Sequence, residues 1–238
     1  MCGRFTNTLK QADLARTFPE AAGVSDGALF ERFNVAPTQE VLAVIAGKDG
    51  ERRMGGLRWG LVPFWADDPK IGAKMVNARA ETLTTKPAFR DLVARGRSRC
   101  LIVADGYYEW LRPEDPKAPR VPMHFSLAGR RPFAFAGLWT WWRPKDDPDG
   151  SRRLATCTIV TTTANATAAR FHDRMPVMLC DPEAHAAWLD PALDAAGVAP
   201  LLAPLPDDEL RVARANPCVN SHVNDGPECL EAEPAVAS

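Results

Sequence analysis

No two of the six cysteines stand close enough in sequence to make a Cys-x-x-Cys pair, which argues against a zinc ribbon or a thioredoxin-like redox centre. Cys100, Cys157 and Cys180 lie within or beside apolar runs and read as buried thiols acting as small hydrophobes. That usage suits a reducing cytoplasm. There is no basic excess: the formal net charge is −1, so any polyanion must be met by a local groove. Arg4, Arg58, Arg79, Arg90 and Arg174 are enough to build one. No apolar run is long enough to span a bilayer, and the opening residues lack a secretory pattern, so no membrane partner is expected. A G-x-S-x-G elbow is missing, which speaks against a serine hydrolase of that type. Repeats and long linkers are also missing, and 238 residues can bury one substantial core. The chain is therefore expected to be a monomer with no metal or cofactor.

What is present is mostly strand. Val41 to Ile45 is a β-rich run ending at Gly47, and Met54 to Gly60 fits as its hairpin partner. Further strands are expected at Cys100 to Ala104, Pro122 to Leu127, Phe133 to Trp141, Ala155 to Thr162 and Val177 to Cys180. Leu9 to Phe18 has helical spacing with Thr8 as its N-cap. Pro182 to Leu189 reads as a helix entered through Asp181, with proline at its first position. Strands joined by short turns, without a βαβ rhythm, predict an α+β domain around a mostly antiparallel curled sheet. Residues 1–226 are expected to form this domain, and 227–238 a disordered acidic tail.

The placement of Cys2 is the most telling feature. Initiator methionine is commonly trimmed before a small residue, and the chain would then open with a cysteine bearing a free α-amine. Nitrogen and sulfur on adjacent carbons can together trap one aldehyde carbon, first as an imine and then as a five-membered thiazolidine. The amine, with an ordinary pKa of about 7.7–8.0, is partly neutral near physiological pH.

Four other segments carry chemistry-bearing residues, although each also fits a plain structural role. Arg58-Trp59-Gly60-Leu61-Val62-Pro63-Phe64-Trp65 can present rings to unpaired bases, or anchor a turn in the core. In an extended Asn77-Ala78-Arg79-Ala80-Glu81, the polar side chains share one face, as a solvated strand or a phosphate and sugar contact would require. Glu109, in Gly106-Tyr107-Tyr108-Glu109-Trp110, is a lone carboxylate among aromatics whose burial would raise its pKa. Of four histidines, His172 lies among charged residues in a connecting segment, where a proton shuttle is useful.

Taken in order with Met1-Cys2-Gly3-Arg4-Phe5 and Arg32-Phe33-Asn34-Val35-Ala36-Pro37-Thr38, these segments resemble the SRAP (SOS response-associated peptidase) family. The likeness continues through His172-Asp173-Arg174-Met175-Pro176 to Asn224-Asp225-Gly226-Pro227-Glu228 and covers nearly the whole chain. It implies a pseudo-barrel flanked by helices, and a protein that binds single-stranded DNA and couples Cys2 to abasic sites after removing its own Met1. The crosslink would shield the lesion, and lyase-type activity is compatible with the same imine chemistry. By the same resemblance Cys2, Asn77, Glu109 and His172 form the catalytic set. Arg4, Arg79 and Arg174 contact phosphates, Trp59, Phe64 and Trp65 stack or wedge bases, and Thr161 approaches the lesion. Phe64-Trp65 departs from relatives that carry two tryptophans there.

Two other functions fit parts of the pattern. An N-terminal-nucleophile glutamine amidohydrolase also starts Met-Cys-Gly and uses its own amine as base. A non-catalytic single-strand binder would need only the arginines and rings.

Overall fold

The computed structural model describes residues 2–24, 26–115, 117–147 and 149–231. In chain order its strands are β1 (Phe5–Asn7), β2 (Arg32–Val35), β3 (Glu40–Ala46), β4 (Arg52–Trp59), β5 (Asn77–Arg79), β6 (Arg99–Ala104) and β7 (Gly106–Leu111), followed by β8 (Val121–Leu127), β9 (Phe133–Trp142), β10 (Leu154–Thr163), β11 (Arg174–Pro176), β12 (Met178–Leu179) and β13 (Leu210–Arg214). The α-helices are short: α1 (Gln11–Leu14), α2 (Arg90–Ala94), α3 (Ala166–Ala169), α4 (Pro182–Leu189) and α5 (Ala195–Val198). None among the described residues is long and apolar enough to cross a membrane.

Strands β4, β3, β6, β9 and β10 pair in that order, and β10 pairs back to β4, so this part of the sheet closes into a barrel. The closing β10–β4 contact is parallel and the other barrel pairings are antiparallel. A second sheet, ordered β13-β8-β7-β1-β2, is antiparallel throughout. The expected α+β domain with a curled, mostly antiparallel sheet is therefore present.

The two sheets meet where β6 runs into β7. Asp105, between them, is almost fully buried, and its carboxylate accepts from the Thr6 hydroxyl (2.6 Å), the Thr8 backbone N–H (3.1 Å) and the Thr8 hydroxyl. Thr8 is therefore turned toward Asp105 through both its hydroxyl and its backbone N–H, and does not cap a helix. The expected helix over Leu9 to Phe18 shrinks to α1, with Lys10 at its N-cap and no side-chain cap. Helix α4 follows expectation, with Asp181 accepting from Ala184 N at 2.7 Å. Val177 to Cys180 is not one strand. Val177 instead donates to Val160 O and accepts from Ala136 N between β11 and β12, and only Met178–Leu179 of the run is strand.

Beside Asp105, Gly106 has no room for a side chain. A Cβ there would sit 2.2 Å from His124 Nε2 and 2.8 Å from Phe125 O. Gly106→Ala is thus expected to push β7 from β8 and cost about 1–3 kcal/mol, read as a lowered Tm in thermal unfolding. An unchanged Tm would show that the two strands can separate without loss.

Barrel interior and second sheet share one apolar cluster centred on Phe5, Trp59, Tyr107, Phe125 and Phe135. A second cluster, including Leu14, Leu101, Val103 and Trp188, packs α1 and α4 onto the outside. Arg99 is fully buried there, its guanidinium donating to the carbonyls of Val93, Trp188, Asp190 and Leu193. Val93, Trp188 and Asp190 are helix-terminal acceptors and Leu193 follows in the loop after α4, so backbone carbonyls surround the buried charge.

Part of the segment expected as a tail from residue 227 onward packs onto the domain. Pro227–Leu230 forms a 3₁₀ turn, and Cys229 is fully buried against Tyr108, Ala215 and Val219. Residues 232–238 lie outside the described residues.

Candidate active site

Strand β1 lies between β2 and β7, with Phe5 opposite Val35 on one side and Tyr107 on the other. Its Phe5 ring is wedged edge-on against Trp59 (5.2 Å) and Phe135 (5.5 Å), which fixes the strand in depth. Arg4 fixes it laterally: Nη1 donates to Asn34 Oδ1 and Val219 O, each at 2.8 Å. Cys2 is consequently delivered to a defined place, fully buried, with its carbonyl accepting from Asn77 Nδ2 at 2.8 Å. Asn77 comes from β5, held in parallel register on β10 with Asn77 opposite Ile159.

The β-period puts Tyr107 and Glu109 on one face of β7 and Tyr108 and Trp110 on the other. Tyr108 donates its hydroxyl to Phe33 O (2.8 Å) and Trp110 its indole N–H to Asn220 Oδ1 (2.7 Å), so the opposite face is tied down. Glu109 is nearly buried, and burial, reinforced by the charge of Asp173, raises its pKa above the ordinary carboxylate range against the pull of the chain's terminal ammonium. The Cys2 thiol is pushed far above its usual range, first by burial and then by Glu109, and its S–H points at Arg4 O at 3.9 Å. It is a thiol here, not a thiolate. Tyr107 also lies within electrostatic reach of Cys2 and Glu109, and its hydroxyl is buried with no hydrogen-bond partner among the described residues, as is Asn77 Oδ1.

His172 enters from the turn between α3 and β11. Burial and then the same terminal ammonium lower its pKa, so the ring is neutral near pH 7. Its Nδ1 is 3.0 Å from the Arg174 backbone N–H and 2.8 Å from Asp173 Oδ1. One nitrogen cannot serve both at once. In the neutral ring Nδ1 accepts from Arg174, which leaves the proton on Nε2, and protonation would switch Nδ1 to Asp173. Cys2, Glu109 and His172 thus share one electrostatic neighbour, the amino terminus, which with Met1 in place belongs to the residue before Cys2, and Asn77 holds the Cys2 backbone.

The remaining expected residues divide. Arg79 is exposed on β5, opposite Thr161 of β10. Arg174 is engaged by a bidentate pair with Glu81 (2.6 and 2.9 Å) and donates to Thr161 O at 2.5 Å, so its guanidinium is braced by a carboxylate and a backbone carbonyl. Thr161, which the resemblance has approaching the lesion, is fully buried with its hydroxyl on Ala78 O. The reading of Trp59 is corrected. It is fully buried inside the barrel with Nε1 on Val76 O, so it packs the core and stacks on nothing outside. Phe64 and Trp65 do reach the surface, 74% and 48% exposed, and line a cleft of about 360 Å³ with Pro87, Ala88 and Leu92. Among the described residues no three metal-capable side chains converge.

The profile of the SOS response associated peptidase (SRAP) family matches residues 1–222. The chain belongs to the SRAP family. Its relatives include the abasic site processing protein YoqW of Bacillus subtilis, 44% identical over 97% of this chain and 99% of that one. YoaM of the same organism, named likewise, is 41% identical over 98% and 99% of the two chains. The abasic site processing protein HMCES of Xenopus tropicalis is 28% identical, covering 98% of this chain and 78% of its own. Among solved structures, a Bacteroides thetaiotaomicron protein superposes with a TM-score of 0.79 at 23% identity, over 97% and 99% of the two chains, and shows the SRAP chain's fold. A phage-related protein of Bordetella bronchiseptica reaches a TM-score of 0.66 at 27% identity, over 90% and 93%.

Proposed function

We propose that this SRAP protein captures abasic sites in single-stranded DNA covalently, through the amine and thiol of Cys2 once the chain has removed its own Met1. The observation that carries the reading is the convergence on one terminus of a pinned cysteine, a buried carboxylate of raised pKa and a neutral histidine. Relatives named as abasic site processing proteins supply the substrate class. The ring-opened deoxyribose at such a site presents an aldehyde at C1′.

The protonation states order the steps. Because the thiol is held protonated, the amine attacks first, with Glu109 taking its proton. The carbinolamine then loses water to give an imine, and donors beside it, His172 Nε2–H and the Tyr107 hydroxyl, supply the proton that the leaving oxygen needs. Cys2 Sγ adds to the imine carbon, its proton passes to nitrogen, and the thiazolidine closes with one water lost overall. A buried, strongly protonated thiol is poorly suited to the amidohydrolase alternative, which needs sulfur as the first nucleophile. Strand binding falls to the exposed Arg79, the braced Arg174, and the Phe64 and Trp65 rings.

Intact mass spectrometry under denaturing conditions tests this directly. The free protein should lack Met1, and an abasic oligonucleotide should add its own mass less one water. Met1-free protein that gains no mass would overturn the covalent reading in favour of a reversible single-strand binder.

A further inference from the structure

Cys218 and Cys229 are eleven positions apart, yet their sulfurs lie 3.8 Å from each other, and both are free thiols. Two 3₁₀ turns, Pro217–Asn220 and Pro227–Leu230, bring them together. Asn216 joins the turns, its N–H donating to Cys229 O and its side chain accepting from Cys218 N. Asn224 Nδ2 donates to Cys218 O from across the loop. The loop between the two cysteines is also the clamp on the site's strands. Asn34 Nδ2 donates to the carbonyls of Val219, Ser221 and Asn224, and Arg4 to Val219. Asp225 accepts from the backbone of Phe33 and Asn34 and pairs with Arg32, while Asn220 receives Trp110.

We propose that Cys218 and Cys229 are a redox-modification site, which a hydroperoxide oxidises to a disulfide that staples this loop onto β1, β2 and β7. Cys218 is half-buried and meets the oxidant first; Cys229 is fully buried, its thiol pushed up to about 12 by burial and by Cys218, and its S–H faces Asn224 O at 3.5 Å. Attack by Cys218 sulfur on peroxide breaks the O–O bond, giving a sulfenic acid and one water. Cys229 sulfur then attacks the sulfenic sulfur. The S–S bond forms, and the departing hydroxyl leaves with the Cys229 proton as a second water. The two thiols are oxidised and the peroxide is reduced, so the balance closes. This site goes beyond the capture chemistry and does not depend on it.

The test uses the whole folded protein and hydrogen peroxide. No Lys or Arg follows Arg214 in the sequence, so one tryptic peptide, residues 215–238, carries both cysteines and no others. After oxidation that peptide should be lighter by two hydrogens and take up no thiol label, and after reduction it should take two. Closing this short loop should raise Tm by about 5–10 °C, reversibly with reductant. Cys218→Ser should abolish both effects. Cys229→Ser, treated with peroxide, should accumulate a Cys218 sulfenic acid that dimedone traps. A peptide that still takes two labels, a Cys218→Ser protein whose Tm still rises, or a disulfide that leaves Tm unmoved would each overturn the proposal. None of these readouts involves DNA, so failure here is separable from failure of the capture reading.

Discussion

Abasic single-stranded DNA mixed with a Cys2→Ser variant is expected to leave no protein on the strand after heating, whereas intact strands bind the variant as they bind wild type. The reason lies in which bonds each atom can make. Serine keeps the α-amine, so an imine with the C1′ aldehyde still forms, but an imine in water hydrolyses back. What makes wild-type capture survive denaturation is the second bond, from sulfur, which closes the ring and removes the C=N. An oxygen at the same place closes a far weaker ring. The substitution should leave the fold standing. Cys2 is fully buried and serine is slightly smaller, so the cost is a hydroxyl without a good acceptor, about 1–3 kcal/mol against a total stability of about 5–15 kcal/mol. Borohydride separates the roles of the two atoms. It should convert the Cys2→Ser imine into a permanent crosslink, and should do nothing for a chain whose α-amine has been acetylated. A heat-stable adduct with Cys2→Ser would remove sulfur from the mechanism. Failure of borohydride to trap that variant would remove the amine.

Some of this was legible in residue order. Helix α4 could be read because its signals are local: Asp181 caps, Pro182 fits the first turn, and both act within four residues. The β3–β4 hairpin could be read because alternation runs long enough on both arms. The three-residue strand β1 could not, since so few residues carry no period, and it exists because β7 offers it a ladder; the extended reading of Asn77 to Glu81 holds only for Asn77–Arg79, which pair with β10, and Ala80–Thr82 turn into a 3₁₀ segment. Trp59 was misplaced although a signal was available. Leu57 and Trp59 alternate with Arg58, so the tryptophan shares the apolar, inward face of β4, and the Gly60-Leu61-Val62-Pro63 punctuation begins only after it. Tyr107 could likewise have been found, two residues from Glu109 on the same strand face. The Arg174–Glu81 pair, 93 positions apart, had no local trace because only the folded sheets bring it together, and the Cys218–Cys229 contact had none because two irregular 3₁₀ turns create it.

Glu109→Gln is expected to slow capture by about 10²–10⁴-fold while making the protein more stable at alkaline pH. The two effects share one cause. Burial holds the folded-state pKa of Glu109 above its unfolded value of about 4.3. Between those two values the native state binds more protons than the unfolded state, so stability falls as pH rises through the window. Above it, the ionised carboxylate remains a standing cost. A glutamine removes that cost, so the variant's Tm should exceed wild type at pH 8, with the gap closing as pH drops below the raised pKa. Catalysis depends on pH in the opposite sense. The base works only when ionised, so the wild-type rate should climb as pH passes the raised pKa of Glu109, and a basic carboxylate is a better acceptor of the amine proton than an ordinary one. In Glu109→Gln that limb should vanish, leaving only the rise set by the amine near about 8. A carboxylate placed merely to hold the fold through an ion pair predicts the reverse, with a depressed pKa and a Tm that drops on neutralisation, most of all at alkaline pH. Measuring Tm and single-turnover capture across pH on the same two proteins therefore separates a base kept at the expense of stability from a structural anchor. A variant that is unstable at pH 8 yet captures at the wild-type rate would assign Glu109 to the second role.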